Sequence, residues 1–201
     1  MIIHFICRGN SFRSIIAEAY FNSLEIKNSS VLSSGTVAAL NKANNAAHYK
    51  RTLELLEKHG IREFAKVDYG DQLTQSRLDR ADITVCMNQR VYDECLQHVT
   101  FPASPYIWSV TDIGEPGRIA HTELENHRYR EEAYQEIVMN VDRLISDISG
   151  TRLFDAVRSA NLGVLAAIQV HDVGVVAVRW LCDVGVPAAV RLHHREAEPG
   201  D

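Results

Sequence analysis

The stretch Cys7-Arg8-Gly9-Asn10-Ser11-Phe12-Arg13-Ser14 follows an apolar run, Ile2-Ile3-His4-Phe5-Ile6, and precedes a helical pattern that begins near Ser14. Strand, loop and helix in that order open a parallel α/β unit. Gly9 permits tight backbone curvature, Asn10 tolerates left-handed geometry and can brace the loop, and Ser14 puts a hydroxyl next to Arg13. Such a loop turns successive backbone N–H groups inward, and the following helix N-terminus adds partial positive charge, so a tetrahedral oxyanion fits the concavity. The same donors favour the thiolate of Cys7, which is the nucleophilic form of a cysteine. Arg13 can then clamp two phosphoryl oxygens bidentately, while Arg8, Gly9, Asn10, Ser11, Phe12 and Ser14 make up the cradle. A structural cysteine at a strand end beside a surface arginine would leave Gly9, Asn10 and Ser14 without a common purpose.

Outward from the loop, short β-like runs alternate with longer helical patterns through residue 150, which specifies a parallel sheet with helices on its faces. Strands are expected at Ile2–Cys7, Ser30–Ser33, Ile83–Met87 and Tyr106–Val110, with a weaker strand pattern at Ala65–Asp68. Helices are expected at Ser14–Glu25, Asn45–His59, Gln75–Arg80, Gln89–Gln97 and Thr122–Ile148. Ile16, Tyr20, Phe21 and Leu24 form one apolar stripe, and Tyr134, Ile137, Val141, Leu144, Ile145 and Ile148 form another; both read as core faces.

The whole chain has 201 residues, more than a usual single domain and fewer than a comfortable pair, so one domain with an appendage is expected. Composition changes after Gly150: all five lysines precede it, and residues 151–201 are rich in Val, Ala, Leu and Arg. A domain over 1–148 and a C-terminal extension over 149–201 follow, the latter a candidate surface for a protein partner. The extension repeats Asn161-Leu162-Gly163-Val164 as Asp172-Val173-Gly174-Val175 and Asp183-Val184-Gly185-Val186, starting eleven residues apart. Three short copies match no known array.

Lys plus Arg of 21 against Asp plus Glu of 26 gives 21 − 26 = −5, so no global basic field advertises nucleic acid or an anionic membrane. The N-terminal apolar run is too short for a signal peptide and lacks a basic flank, and Leu162–Val190 is broken by His171, Asp172, Arg179 and Asp183. No membrane span is expected. Cys7, Cys86, Cys95 and Cys182 form no C-x-x-C pair in a chain far longer than a disulfide-stapled module, which favours a reducing cytoplasm. His4, His48, His121, His127 and the His193-His194 pair do not compose a ligand set, so no metal and no other cofactor is expected.

The loop resembles that of the low-molecular-weight protein tyrosine phosphatase family, C-x-G-N-x-x-R-S followed by a helix containing A-E-A, here Ala17-Glu18-Ala19. The likeness continues through Ser33-Ser34-Gly35-Thr36, His59-Gly60-Ile61 and Asp82-Ile83-Thr84-Val85-Cys86-Met87, and so covers residues 1 to about 148. It implies a three-layer α/β/α fold around a four-stranded parallel sheet, and hydrolysis of a phosphorylated protein or small phosphoryl substrate through a phosphocysteine at Cys7. It also implies that Ser33 helps Asn10 shape the loop and that a general-acid Asp lies on a late loop.

The family acid precedes a proline, whereas this chain has Thr111-Asp112-Ile113-Gly114-Glu115-Pro116. Asp112 is the expected acid because it directly follows the fourth strand; Glu115 is the alternative. Phe12 stands where relatives usually carry a second loop cysteine, so that redox safeguard is absent. Val37–Ala47 and Ile113–Arg118 contain no aromatic residue, which argues against stacking on a phosphotyrosine ring, and the small Ser11 leaves room for another group such as phosphoarginine. Two rival functions stay open. A thiol-dependent arsenate reductase would use Cys86 and Cys95 as its relay, and a catalytically silent phosphate-binding module would keep the cradle without turnover.

Overall fold

The computed structural model describes residues 1–40 and 42–164, with side chains as far as residue 150 except that of Asn44. Four strands, β1 (Ile2–Cys7), β2 (Ser30–Gly35), β3 (Ile83–Cys86) and β4 (Tyr106–Ile107), form one parallel sheet in the order β2-β1-β3-β4. Parallel neighbours need crossovers, supplied by α1 (Arg13–Ser23) between β1 and β2, α2 (Lys42–Lys58) and α3 (Gln75–Leu78) between β2 and β3, and α4 (Gln89–Cys95) between β3 and β4. α5 (Glu123–Val164) follows β4.

Side-chain alternation on the central strand divides the core into two layers. Ile3, Phe5 and Cys7 of β1 join Val85 of β3 in a cluster with Ile15 and Ile16 of α1, Leu56 of α2, and Ile137, Val141 and Leu144 of α5. Ile6 and Cys86 face the other way and pack with Leu78, Val91 and Cys95 of α3 and α4. The result is the three-layer α/β/α arrangement expected from the sequence. β1 is buried along nearly its whole length because it sits between β2 and β3, which accounts for its continuous apolar run.

Several boundaries differ from the sequence expectation. Ala65–Asp68 is not a strand: a 3₁₀ turn at Arg62–Phe64 leads into an extended loop, and Val67 is almost fully exposed. A single β-branched residue between charged neighbours has no apolar face to bury there. β2 extends to Gly35, since its backbone continues pairing as far as Cys7 of β1. β4 ends at Ile107 rather than Val110, although the Trp108 and Val110 N–H groups still bond the Cys86 and Met87 carbonyls. α1 begins at Arg13 and stops at Ser23, leaving Leu24 at its C-cap and 39% exposed, outside the buried stripe.

α5 begins at Glu123 and continues past Ile148 to Val164. Gly150 costs a helix only about 1 kcal/mol relative to alanine and does not stop it. The chain divides into compact units at Met1–Gly150 and Thr151–Asp201. Residues 165–201, including the second and third copies of the Gly-Val repeat, lie outside the described residues. Among the described residues no helix is long and apolar enough to cross a membrane.

Candidate active site

The loop from Cys7 to Arg13 joins β1 to α1 and is held from both sides. Gly35, at the end of β2, passes so close that a Cβ there would lie 2.6 Å from the Arg8 carbonyl oxygen and 2.8 Å from the Asn10 nitrogen. This is a glycine required by close backbone approach. The Thr36 and Val37 N–H groups donate to the Cys7 and Arg8 carbonyls, the Asn45 amide to Gly9 O, and the Thr52 hydroxyl of α2 to Ser11 O. Arg8, partly exposed, donates to Glu94, which also accepts from the Thr36 hydroxyl. The loop's own carbonyls are thus consumed by neighbouring elements.

Cys7, Asn10, Ser11, Phe12, Arg13 and Ser14 are all buried. The Asn10 N–H donates to Cys7 Sγ at 3.1 Å, and Ser14 Oγ lies 3.0 Å from the same sulfur. Ser14 Oγ accepts from Asn10 Nδ2 at 3.1 Å, which leaves its own hydroxyl proton free to point at Cys7. Asn10 adopts φ 48°, the left-handed conformation an asparagine tolerates, and that conformation aims its N–H at the sulfur. Its Nδ2 also donates to Ser33 Oγ at 2.8 Å, and Ser33 in turn donates to the Glu18 carboxylate. Ser33 therefore contacts Asn10. Phe12 precedes α1 and offers it no side-chain cap, so the first-turn amides are not closed off by a local oxygen.

Arg13 is 1% exposed, and its guanidinium reaches the loop after β4: Nη1 donates to the Val110 carbonyl at 2.9 Å, and Nη2 to Asp112 Oδ2 at 2.5 Å. Asp112 is thereby brought to the cysteine loop from 99 residues away. Glu115 is placed differently. Its Oε2 accepts from the Asp112 N–H at 2.9 Å and from Asn88 Nδ2 at 3.1 Å, so it braces the backbone of the same turn. Phe12 lies under the Arg130 guanidinium, 4.8 Å from its ring centroid, and Arg130 also reaches His48 Nδ1 at 3.0 Å. Burial, and then the adjacent Arg130 charge, push the His48 imidazole below its ordinary value, which favours the neutral form.

The family model described as Low molecular weight phosphotyrosine protein phosphatase matches residues 2–153. The chain belongs to this family. As a low molecular weight phosphatase it is a cysteine-dependent enzyme acting on a phosphorylated substrate. Among solved structures it is similar to Vibrio vulnificus Wzb in complex with benzylphosphonate, at 18% identity over 73% of this chain and 97% of that one, with a TM-score of 0.56. It is similar also to YfkJ from Bacillus subtilis, at 20% identity over 75% and 96% of the two chains with a TM-score of 0.54. A low molecular weight protein tyrosine phosphatase from T. tengcongensis matches at 20% identity over 73% and 99%, with a TM-score of 0.51. These likenesses concern the fold. No curated protein matches the sequence.

Cys86 and Cys95 do not approach the loop from its own side of the sheet: both are buried in the α3–α4 layer, whereas Cys7 belongs to the opposite core. Its hydrogen bond with Cys95, then burial, push the Cys86 thiol well up, so it stays protonated at neutral pH and is a poor relay nucleophile. Among the described residues no group of three or more His, Cys, Asp or Glu is placed to hold a metal ion.

Sequence reasoning missed Lys66, Asp71, Glu94 and Thr52, each of which touches the loop or its bracing residues. Lys66 falls within the segment whose pattern suggests a weak strand. Glu18 and Gly35 are visible in the sequence only as letters of the A-E-A and S-S-G-T likenesses, without a contact to explain them.

Proposed function

We propose that this phosphatase hydrolyses a phosphoryl amino acid, phosphotyrosine or phosphoarginine, in a protein through a phosphocysteine formed on Cys7. The carrying observation is the convergence of the Asn10 N–H and the Ser14 hydroxyl on Cys7 Sγ at the mouth of α1, with Arg13 in the same loop. The sulfur attacks phosphorus in line while loop N–H groups and the Arg13 fork hold the non-bridging oxygens, where negative charge is concentrated in the transition state. The P–O or P–N bond breaks as the S–P bond forms, and Asp112 gives its proton to the leaving atom. The resulting Asp112 carboxylate then takes a proton from water, which attacks phosphorus, expels the Cys7 thiolate and yields inorganic phosphate.

Asp112 is preferred to Glu115 as the acid because its carboxylate touches Arg13, whereas the Glu115 carboxylate is engaged with Asn88 and a main-chain N–H. Glu115 retains a claim from its place before Pro116. Residues 1–148 carry this chemistry in the proposal, with 149–201 an extension. Phosphoarginine is the favoured member of the pair, since Val37–Ala47 and Ile113–Arg118 supply no aromatic wall.

Turnover of phosphotyrosine, phosphoserine and phosphoarginine peptides by the parent and by Cys7→Ser tests the reading. Activity on the phosphoarginine or phosphotyrosine peptide that disappears in Cys7→Ser supports it. Activity on phosphoserine alone would redirect the substrate assignment, and phosphate binding without any turnover would favour a silent module.

A further inference from the structure

Behind the loop, the Asn10 side chain makes all four hydrogen bonds that a primary amide can. Nδ2 donates to Ser14 Oγ and Ser33 Oγ, while Oδ1 accepts from the Asp71 N–H at 2.9 Å and from Lys66 Nζ at 2.8 Å. Of these partners Lys66 is the ionised one. It is 18% exposed and reaches in from the loop after the 3₁₀ turn. We infer that Lys66 is a positioning residue: its ammonium holds Asn10 in the left-handed conformation that directs the Asn10 N–H onto Cys7 Sγ, and so keeps that donor on the sulfur from behind the phosphate cradle. The inference rests on the proposed role of Cys7 as nucleophile.

The charge balance around Lys66 leaves its ammonium free to act on Asn10. Asp71 Oδ2 lies 3.1 Å from it but is shared with Arg77 at 3.3 Å. Glu18 lies at 3.9 Å, and burial raises its carboxyl toward the neutral form. His4, which also feels Arg77 and Lys66, is neutral. Asp68, which likewise feels Lys66, is exposed and bonded to Lys42. On the other side of the loop Arg13 pairs with Asp112, Arg8 pairs with Glu94, and the Arg130 guanidinium lies over Phe12. Without Lys66, Oδ1 keeps one donor, and the left-handed Asn10 backbone, uncommon for any residue with a side chain, loses its charged restraint.

The test is carried out on the full chain and reads Cys7 directly. The rate of alkylation of the Cys7 peptide by iodoacetamide is followed against pH by mass spectrometry, beside kcat and KM for p-nitrophenyl phosphate. Lys66→Met should move the alkylation midpoint up by about one pH unit, as the Asn10 N–H that favours the charged sulfur is displaced. It should also lower kcat about tenfold or more with KM little changed, the mark of a misplaced reacting group. Lys66→Arg should recover most of both. A folded Lys66→Met with the parent midpoint, or a folded Lys66→Arg shifted as far as the Met variant, overturns the inference. Should the Met variant not fold, Lys66→Gln, which keeps a donor but no charge, takes its place with the same expected shift, and a parent-like midpoint there overturns the inference equally. Alkylation does not depend on turnover, so this outcome is separate from the failure of the Cys7 assignment, which would show as full activity in Cys7→Ser.

Discussion

Arg13 Nη2 donates to Asp112 Oδ2 at 2.5 Å, joining the cation proposed to bind the phosphoryl group to the carboxyl proposed to protonate its leaving atom. The pair neutralises a guanidinium that is almost wholly buried, and an incoming oxyanion competes with Asp112 for it. Asp112→Asn should therefore do two things. It lowers kcat by roughly 10²–10⁴-fold, the usual contribution of general acid–base catalysis, and it tightens inorganic phosphate binding several-fold because an amide is a weaker rival for Arg13. Steady-state kinetics and phosphate inhibition check both. A large kcat loss in Glu115→Gln with none in Asp112→Asn would move the acid to Glu115.

Gly35→Ala places a Cβ within 2.6 Å and 2.8 Å of main-chain atoms of Arg8 and Asn10, which cannot swing aside as side chains do. The loop must shift. A stability loss of about 1–3 kcal/mol, typical of overpacking, is expected together with at least a tenfold fall in turnover. Thermal unfolding and p-nitrophenyl phosphate kinetics measure these, and an alanine variant equal to the parent in both would contradict the packing account.

His4 is fully buried, with Nε2 bonded to Ser34 Oγ at 2.7 Å. Burial first, then the Arg77 and Lys66 charges, lower its pKa from 6.5 to about 4. The native state thus binds fewer protons than the unfolded chain between those values. The stability linked to this group is fully present above pH 6.5 and is lost as pH falls toward 4, by up to roughly 3 kcal/mol. Glu18, whose carboxyl burial raises, works in the opposite sense, so the comparison is made between the parent and His4→Gln. Denaturant unfolding at pH 7 and pH 5 should show a smaller acid loss in the variant; equal losses would refute the assignment.

How much of the fold and site is legible in the sequence varies with the range of the interaction. The β1 run, the glycine and asparagine of the loop and the apolar stripe of α5 report local or periodic constraints, and β1, Asn10, Ile137, Val141 and Leu144 stand where those constraints put them. The Ala65–Asp68 loop departs from its sequence pattern because one β-branched residue among charges carries little periodicity, and the value of Lys66 lies in a contact with Asn10, 56 residues distant. The contacts of Asp112 and Glu115 likewise depend on how the turn after β4 folds, with the Glu115 carboxylate bonded to the Asp112 N–H, and two carboxylates three residues apart give no sign of it.

Among the residues whose side chains are described, every buried α5 position, from Arg130 to Leu144, precedes residue 148, and so does each loop contact described above. A chain ending at Gly150 should stay soluble and keep turnover within about twofold of the full chain, since it retains these core positions and contacts. Size-exclusion chromatography and p-nitrophenyl phosphate kinetics decide this. An insoluble or inactive product would make residues 151–201 part of the catalytic unit.

The most direct test of the central claim is the turnover and phosphate affinity of Cys7→Ser, because the substitution removes the sulfur and leaves the loop amides and Arg13 in place. Turnover of p-nitrophenyl phosphate should fall to background while inorganic phosphate still binds, as followed by calorimetry. Appreciable turnover in a clean Cys7→Ser preparation would contradict a phosphocysteine mechanism at this loop.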